Sequence, residues 1–242
     1  MAHQANRHIA PARLPSDNGR LNVIIPAAGI GKRMKSKGPK GLLILHHGMS
    51  VLEKQIRTIL KVYPHAEIVV VGGFEYTKIR NELWGNFPVR IVCNSDYETT
   101  NVTHSVGIGL DACLPGPLMI VHGDLVFNQQ TIKGLAGKQS SLLVADKHLE
   151  PGEVGIGHQD GIVTNLSYAL ETKWGQIAYL QGKELLLFQE VIRNNRVSNM
   201  WFLYESLNYV MSKGGEFLAH QPSGMKITEI DKYNDLKKAK QI

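Results

Sequence analysis

Leu21-Asn22-Val23-Ile24-Ile25-Pro26-Ala27-Ala28-Gly29-Ile30-Gly31-Lys32-Arg33-Met34 is the stretch on which the fold turns. Val23, Ile24 and Ile25 form a β-branched apolar run, and small residues and glycines follow at once, so the segment reads as a short buried strand feeding a tight turn. Ala27, Ala28, Gly29 and Gly31 carry little or no side chain, so a phosphate chain can come close to the backbone amides there. A Walker loop needs glycine where Pro26 stands and Ser or Thr where Arg33 stands, and a dinucleotide fingerprint needs a small residue in place of Met34. Both motifs fail. What remains is a glycine turn followed by Lys32 and Arg33, with Lys40 just after Gly38-Pro39, where proline restricts the approach of the backbone. Taken alone, such a turn reads first as a surface loop with solvated lysines.

Outward from this turn the chain alternates strands and helices. Ser50-Val51-Leu52-Glu53 has the form of a capping box, and Leu52, Ile56, Ile59 and Leu60 then recur at helical spacing. Glu67 to Val71 reads as a second buried strand, Phe74 to Trp84 as a helix and Val89 to Cys93 as a third strand, the rhythm of a parallel sheet. Asn101 to Leu114 reads as another helix, and the apolar run Leu118 to Val121 stops at His122-Gly123-Asp124. Beyond Asp124 the pattern changes. Val154 to His158 and Ile162 to Ser167 flank Gln159-Asp160-Gly161, a hairpin turn, so the sheet becomes mixed. Helices follow at Glu184 to Arg193 and Met200 to Lys213, then a strand over Lys226 to Asp231 and a lysine-rich terminal helix.

Two-fifths of the 242 residues are apolar, enough for one large α/β core. The expected organisation is a mobile polar arm over residues 1–20 and a single domain over 21–242. No apolar run approaches the ~20 residues of a membrane span, and the first segment has no apolar core of a secretory signal. Cys93 and Cys113 offer no metal-ligand cluster and read as reduced, buried thiols. Together these point to the cytoplasm and to no membrane partner. A net charge of +6 suits a phosphate-rich ligand as well as a nucleic acid. The cations are too scattered for a nucleic-acid stripe.

Pro26-Ala27-Ala28-Gly29-Ile30-Gly31-Lys32-Arg33-Met34 with Gly38-Pro39-Lys40 resembles the signature of the sugar-nucleotide pyrophosphorylases and related small nucleotidyltransferases. The resemblance runs on through Asn101 to Leu110, His122-Gly123-Asp124 and Glu229-Ile230-Asp231. Lys173-Trp174-Gly175-Gln176-Ile177 and the short C-terminal region also look like the bacterial phosphocholine cytidylyltransferases. The resemblance implies a Rossmann-like three-layer sandwich around a mostly parallel, mixed sheet. It also implies magnesium-dependent transfer of a nucleotidyl group, CTP being favoured, to a phosphorylated small molecule with release of pyrophosphate. Methylerythritol phosphate or molybdopterin nucleotidyltransferases, and a nucleotide-binding regulator that has lost turnover, are the alternatives.

Transfer at an α-phosphorus needs the triphosphate's charge neutralised, so carboxylates, a metal ion and cations must meet there. Asp124 follows a buried strand on the side where ligands gather in open α/β sheets and offers a hard oxygen for magnesium; its rival role is a helix cap. Glu229 and Asp231 lie two apart and share a strand face; the resemblance implies that Asp231 is the second ligand and Glu229 a substrate contact. It also implies that Arg33 holds the triphosphate and Lys40 stabilises charge at the α-phosphate. Ala27, Ala28, Gly29, Gly31 and Lys32 then belong to the nucleotide site. Asn101 and Ser105 match base-contacting positions, though Asn101 equally fits a helix cap. Lys173 and Trp174 are candidate acceptor contacts among the rings Tyr168, Tyr179, Trp201, Phe202 and Tyr204, which could draw in a quaternary ammonium or simply pack a core. His46, His47 and His122 show no ligand spacing and read as structural or surface residues.

Overall fold

The computed structural model describes residues 20–31, 38–168, 170–194 and 196–242. The expected N-terminal arm, Lys32 and Arg33 therefore lie outside the described residues, apart from Arg20. Arg20 pairs with Glu67 at the start of the second strand.

β1 (Asn22–Ala27), β2 (Glu67–Gly72), β3 (Val89–Cys93) and β4 (Leu118–Val121) run parallel in the order β3-β2-β1-β4, linked by α1 (Val51–Val62), α2 (Tyr76–Leu83) and α3 (Val102–Asp111). Alternation along β1 explains the layering. Val23 and Ile25 join the core formed with Leu52, Ile56 and Ile59 of α1 and Ile79 and Leu83 of α2. Ile24 faces the opposite core with Val106 of α3. Buried on both faces, β1, β2 and β4 carry continuous apolar runs, whereas the edge strand β3 is only half-buried. The start of α1 is only half a capping box, because Ser50 accepts from the Glu53 N–H at 3.2 Å while the Glu53 carboxylate turns to Arg57.

The second half supplies β5 (Leu125–Phe127), α4 (Gln129–Ile132), β6 (Ser141–His148), β7 (Gly155–Gln159), β8 (Ile162–Ser167), β9 (Thr172–Leu180) and α5 (Gly182–Asn194). After these come α6 (Leu203–Ser212), β10 (Leu218–His220), β11 (Ile227–Glu229) and α7 (Tyr233–Ala239). β9 pairs antiparallel with β4 and continues the main sheet through β6, β10, β8 and β7. β7 and β8 turn at Asp160-Gly161, where both residues have positive φ (51° and 80°), the backbone of a two-residue hairpin.

Two expectations need correction. The chain is an α/β fold with a mixed sheet, but the three-layer arrangement holds only over the β3-β2-β1-β4 half. Pairing of Gly155 with Lys173 brings β7 back onto β9 and closes a ring of five strands. Strongly twisted sheets escape an exposed edge in this way. Cys93 is exposed at the end of the edge strand β3 rather than buried, and Cys113 is half-buried. No helix among the described residues is long and apolar enough to cross a membrane.

α3 crosses β1 and β2 at Gly109. A Cβ on Gly109 would lie 2.8 Å from Ile24 Cγ2 and 3.1 Å from Val71 Cγ2, both in buried side chains. Gly109→Val should therefore destabilise the fold by about 1–3 kcal/mol through overpacking. Urea denaturation of the variant checks this, and an unchanged midpoint would show that the helix can lift without cost.

Candidate active site

The site forms where three remote segments reach the C-terminal ends of β1 and β4. Gly31 has φ +64°, and its missing Cβ would sit 3.3 Å from Lys40 Cγ, so the turn after β1 packs directly on the Lys40 stem. Lys40 opens a short 3-10 turn, Lys40–Leu42, after the extended Pro39. The next residue, Gly41, lies flat against Leu52 of α1. At the end of β4, Gly123 N–H donates to the Pro26 carbonyl at 3.1 Å. A Cβ on Gly123 would come within 2.7 Å of that same oxygen. Only glycine lets the two strand ends touch, and the contact sets Asp124 beside the glycine turn.

Glu229 and Asp231 arrive by a different route. β11 pairs antiparallel with β5, with Glu229 opposite Leu125, and Ile230 N–H donates to the Asp124 carbonyl at 2.9 Å. Ile230 is fully buried in a small core with Val126 and Leu43. Its two neighbours in the chain therefore turn to the site. Asp231 lies one residue past Ile230 and beyond the strand proper, and its N–H donates to Asp235, whose carboxylate caps the start of α7.

Lys40 Nζ lies 3.0 Å from Asp124 Oδ2 and 2.5 Å from Asp231 Oδ1, with the three side chains only 16%, 22% and 26% exposed. Burial works against the Lys40 charge, but the two carboxylates outweigh it and hold its pKa above the ordinary lysine value. Oxygens of Asp124, Glu229 and Asp231 all come within 4.8 Å of one another. This is a hard-oxygen donor set, and magnesium needs no more than one or two such carboxylates because it keeps several waters. The residues present thus fit a divalent cation. The helix-cap alternative for Asp124 fails, since a strand, β5, follows it.

Glu229 is the third carboxylate, and burial, then the charges of Asp124 and Asp231, push its pKa up to about 7. Lys173 Nζ is 3.3 Å from Glu229 Oε2 and also contacts Glu153; Gln176 donates to the same Glu229 oxygen. Burial opposes the Lys173 charge too, yet Glu153 and Glu229 keep its pKa raised. Gln176 reaches Glu229 through a bulge. Between Leu142↔Ala178 and Val144↔Trp174 the register of β6 on β9 shifts, and Gln176 has φ +54°, the kind of local irregularity that re-aims a side chain at a site.

Two clefts meet at Asp124. One, of about 230 Å³, runs along Ala27, Ala28, Gly29, Gly31 and Lys40 to Asn94, Tyr97, Asn101 and Ser105. The other, of about 290 Å³, is walled by Tyr168, Trp174, Phe202 and Tyr204 with Glu153 and Glu229. Asn101, Val102 and His122 border both. Asn101 caps α3, accepting from Val102 N–H at 2.8 Å and donating to the Met200 carbonyl at 3.3 Å. His122, read as an ordinary structural or surface residue, packs edge-on against Trp174 at 5.9 Å. Burial lowers its pKa, and neither its Nε2 nor the Trp174 Nε1 has a hydrogen-bond partner among the described residues. Tyr179 and Trp201 line neither cleft.

Sequence reasoning missed Gln55, Asn94, Glu153 and Gln176. Gln55 is buried in α1, and its amide donates to the His122 and Leu125 carbonyls at 2.8 and 2.7 Å, which pins the turn carrying Asp124. The signal was available: Gln55 is a polar residue set among Leu52, Ile56 and Ile59 on the buried face of α1.

A model of the MobA-like NTP transferase domain matches residues 23–172. The chain belongs to that family. This NTP transferase domain is 32% identical over 118 residues to the bifunctional protein GlmU of a Synechococcus strain, covering 48% of this chain and 18% of that protein. It is 28% identical over 135 residues to the CTP:phosphoglutamine cytidylyltransferase of Campylobacter jejuni, covering 52% and 53%. Its fold is that of the CTP:phosphocholine cytidylyltransferase from Streptococcus pneumoniae, with a TM-score of 0.74 at 18% identity over 92% of this chain and 98% of the other.

The folded NTP transferase domain holds the Glu229 proton up to about pH 7, whereas an unperturbed glutamate loses it near 4.5. The Glu229 contribution to folding is therefore greatest below about 4.5 and disappears as pH rises through about 7. Glu229→Gln removes it. In metal-free urea titrations, the stability of the wild type relative to Glu229→Gln should fall steadily across that window, and a flat difference would disprove the shift.

Proposed function

We propose that this NTP transferase domain is a magnesium-dependent cytidylyltransferase that joins CTP to a phosphorylated small molecule, with a phosphocholine-like acceptor, and releases pyrophosphate. One observation carries the reading: Lys40, Asp124 and Asp231 converge beside the glycine turn, at the junction of two clefts. One cleft is lined by backbone and small residues suited to a triphosphate, the other by rings and acids suited to a cationic acceptor. The names of the Campylobacter and Streptococcus relatives, both CTP enzymes, support the choice of base.

Asp124 and Asp231 would hold the metal ion, which when bound neutralises charge on the triphosphate. The amides of Ala27 to Gly31 would line the β- and γ-phosphates, and the family resemblance assigns Lys32 and Arg33 to the triphosphate. An oxygen of the acceptor's phosphate, already ionised, attacks the α-phosphorus. The new P–O bond forms as the bond from the α-phosphorus to the bridging oxygen breaks, and pyrophosphate leaves with that electron pair. No side-chain nucleophile or base takes part. What the chain contributes is alignment and fixed positive charge. Lys40 gains most from the transition state, because leaving its carboxylate partners for the α-phosphate oxygens repays it only as their charge grows.

Tyr168 meets Tyr204 edge-on at 5.5 Å, and Phe202 stacks on Tyr204 at 6.0 Å. Both Tyr168 and Phe202 are about half exposed, at 51% and 49%, so ring faces remain open to the second cleft. Ring faces attract a quaternary ammonium, and the carboxyls of Glu153 and Glu229, both held by Lys173, border the same cleft. A neutral sugar phosphate would use neither.

Pyrophosphate release should require a triphosphate and an acceptor together in a screen of the four common triphosphates against phosphocholine and several sugar phosphates. CTP with phosphocholine should give the highest rate, whereas triphosphate loss without acceptor would overturn the reading. Asp124→Ala should abolish release and leave the circular dichroism spectrum unchanged; retained turnover would remove the metal assignment. Lys40→Ala should lower kcat by about 100-fold or more while changing the CTP dissociation constant far less, and the reverse pattern would refute its role at the α-phosphate.

A further inference from the structure

Asn208 stands in the middle of α6, where asparagine is a poor helix former because its amide competes for nearby backbone groups. Here the amide is committed elsewhere. Its Oδ1 accepts from the Leu166 N–H at 2.9 Å and its Nδ2 donates to the Leu166 carbonyl at 2.8 Å, so one side chain answers both polar groups of one residue of β8, as a neighbouring strand would. Among the described residues no strand does so at that end of β8: β7 takes the other edge, and β10 reaches only Ile162. Packing alone does not account for the clip. Leu166 is buried in a core shared with Leu203, Leu207 and Val210 of α6, which already holds helix to strand. Burial has no preferred direction, whereas two hydrogen bonds to one residue fix both the sliding and the rotation of α6 along β8.

The groups that depend on this alignment are rings. Tyr204 precedes Asn208 by one helical turn and so shares its face, and Tyr168 follows Leu166 by two residues. The Tyr168 and Tyr204 rings meet edge-on at 5.5 Å, and Phe202 stacks on Tyr204 at 6.0 Å; all three border the second cleft. We infer that Asn208 is a positioning residue that sets the Tyr168 ring against the Tyr204 ring and thereby selects an acceptor with a quaternary ammonium over one with a primary ammonium. The inference rests on the phosphocholine-like reading of that cleft and adds the residue that enforces it. A quaternary ammonium has no N–H to donate, so its hold depends on where the ring faces stand. A primary ammonium donates hydrogen bonds, which the carboxyl oxygens of Glu153 and Glu229 on the same cleft can accept wherever the rings stand.

The test is the ratio of kcat/KM for phosphocholine over phosphoethanolamine at saturating CTP. The wild type should favour phosphocholine. Asn208→Ala removes the clip and leaves room for water to pair the freed Leu166 groups, while the shared core keeps helix and strand together. Its ratio should fall by roughly 5-fold or more, through a higher KM for phosphocholine, with the KM for CTP and the constants for phosphoethanolamine moving far less. A merely structural Asn208 would lower both acceptors by one factor or leave both alone, and either result overturns the inference. Should Asn208→Ala fail to fold, Asn208→Asp keeps the acceptor for the Leu166 N–H and loses the donor to its carbonyl: a fallen ratio supports the inference and an unchanged one overturns it. Transfer to phosphocholine with an unmoved ratio in the variants sinks this assignment alone, whereas a wild type that does not favour phosphocholine sinks the phosphocholine-like reading with it.

Discussion

The ammonium of Lys40 sits between Asp124, 84 residues later in the chain, and Asp231, 191 residues later. Three carboxylates confined to a half-buried pocket would repel one another and suffer poor solvation unless matched by positive charge. Two devices supply the match. Lys40 answers Asp124 and Asp231, and Lys173 answers Glu229 and Glu153; Glu229 retains a proton to about pH 7 as a further relief. The acidic cluster can thus persist in the folded chain before any ligand arrives. The same cation that makes it tolerable lines the cleft of the glycine turn, with Gly31 packed on its stem.

Everything nearby serves to hold these groups at one point. Gly123 lets the end of β4 touch the end of β1, and the β5–β11 pair carries Glu229 and Asp231 to Asp124. Ile230, buried between them, enforces their direction. The ring of strands in the C-terminal half then builds the second cleft against the first, and the bulge in β9 turns Gln176 towards Glu229. Each cleft is shaped by a different half of the sheet. Asp124 belongs to both because it lies where the parallel half gives way to the ring.

The parallel half was legible because its strands are buried on both faces and so appear as uninterrupted runs such as Ile68 to Val71 and Leu118 to Val121. The ring was not. β9 passes through the site and is broken by Lys173, Gly175 and Gln176, while β10 has only three residues. β7 and β8 were found through their Asp-Gly turn, which is local, but the pairing of β7 with β9 depends on two segments that share no local pattern. Lys40, Asp124, Glu229 and Asp231 could be named because their chemistry is distinctive and they resemble a family signature. Asn94, Gln55 and Glu153 escaped because they act on other residues, over separations that spacing cannot reveal. Cys93 was misplaced because an apolar strand was taken as buried along its whole length, although β3 is an edge strand.

Gln55 ties one further property to this architecture. Its amide spans from the seam of α1 to the carbonyls of His122 and Leu125, so the depth at which that helix seats on the sheet also sets where Asp124 stands. Methyl-sized changes at Ile56 or Ile59, far from any phosphate, become adjustments of catalytic geometry. The hydrophobic interior of this domain thus bears on the position of Asp124 as well as on the seating of α1.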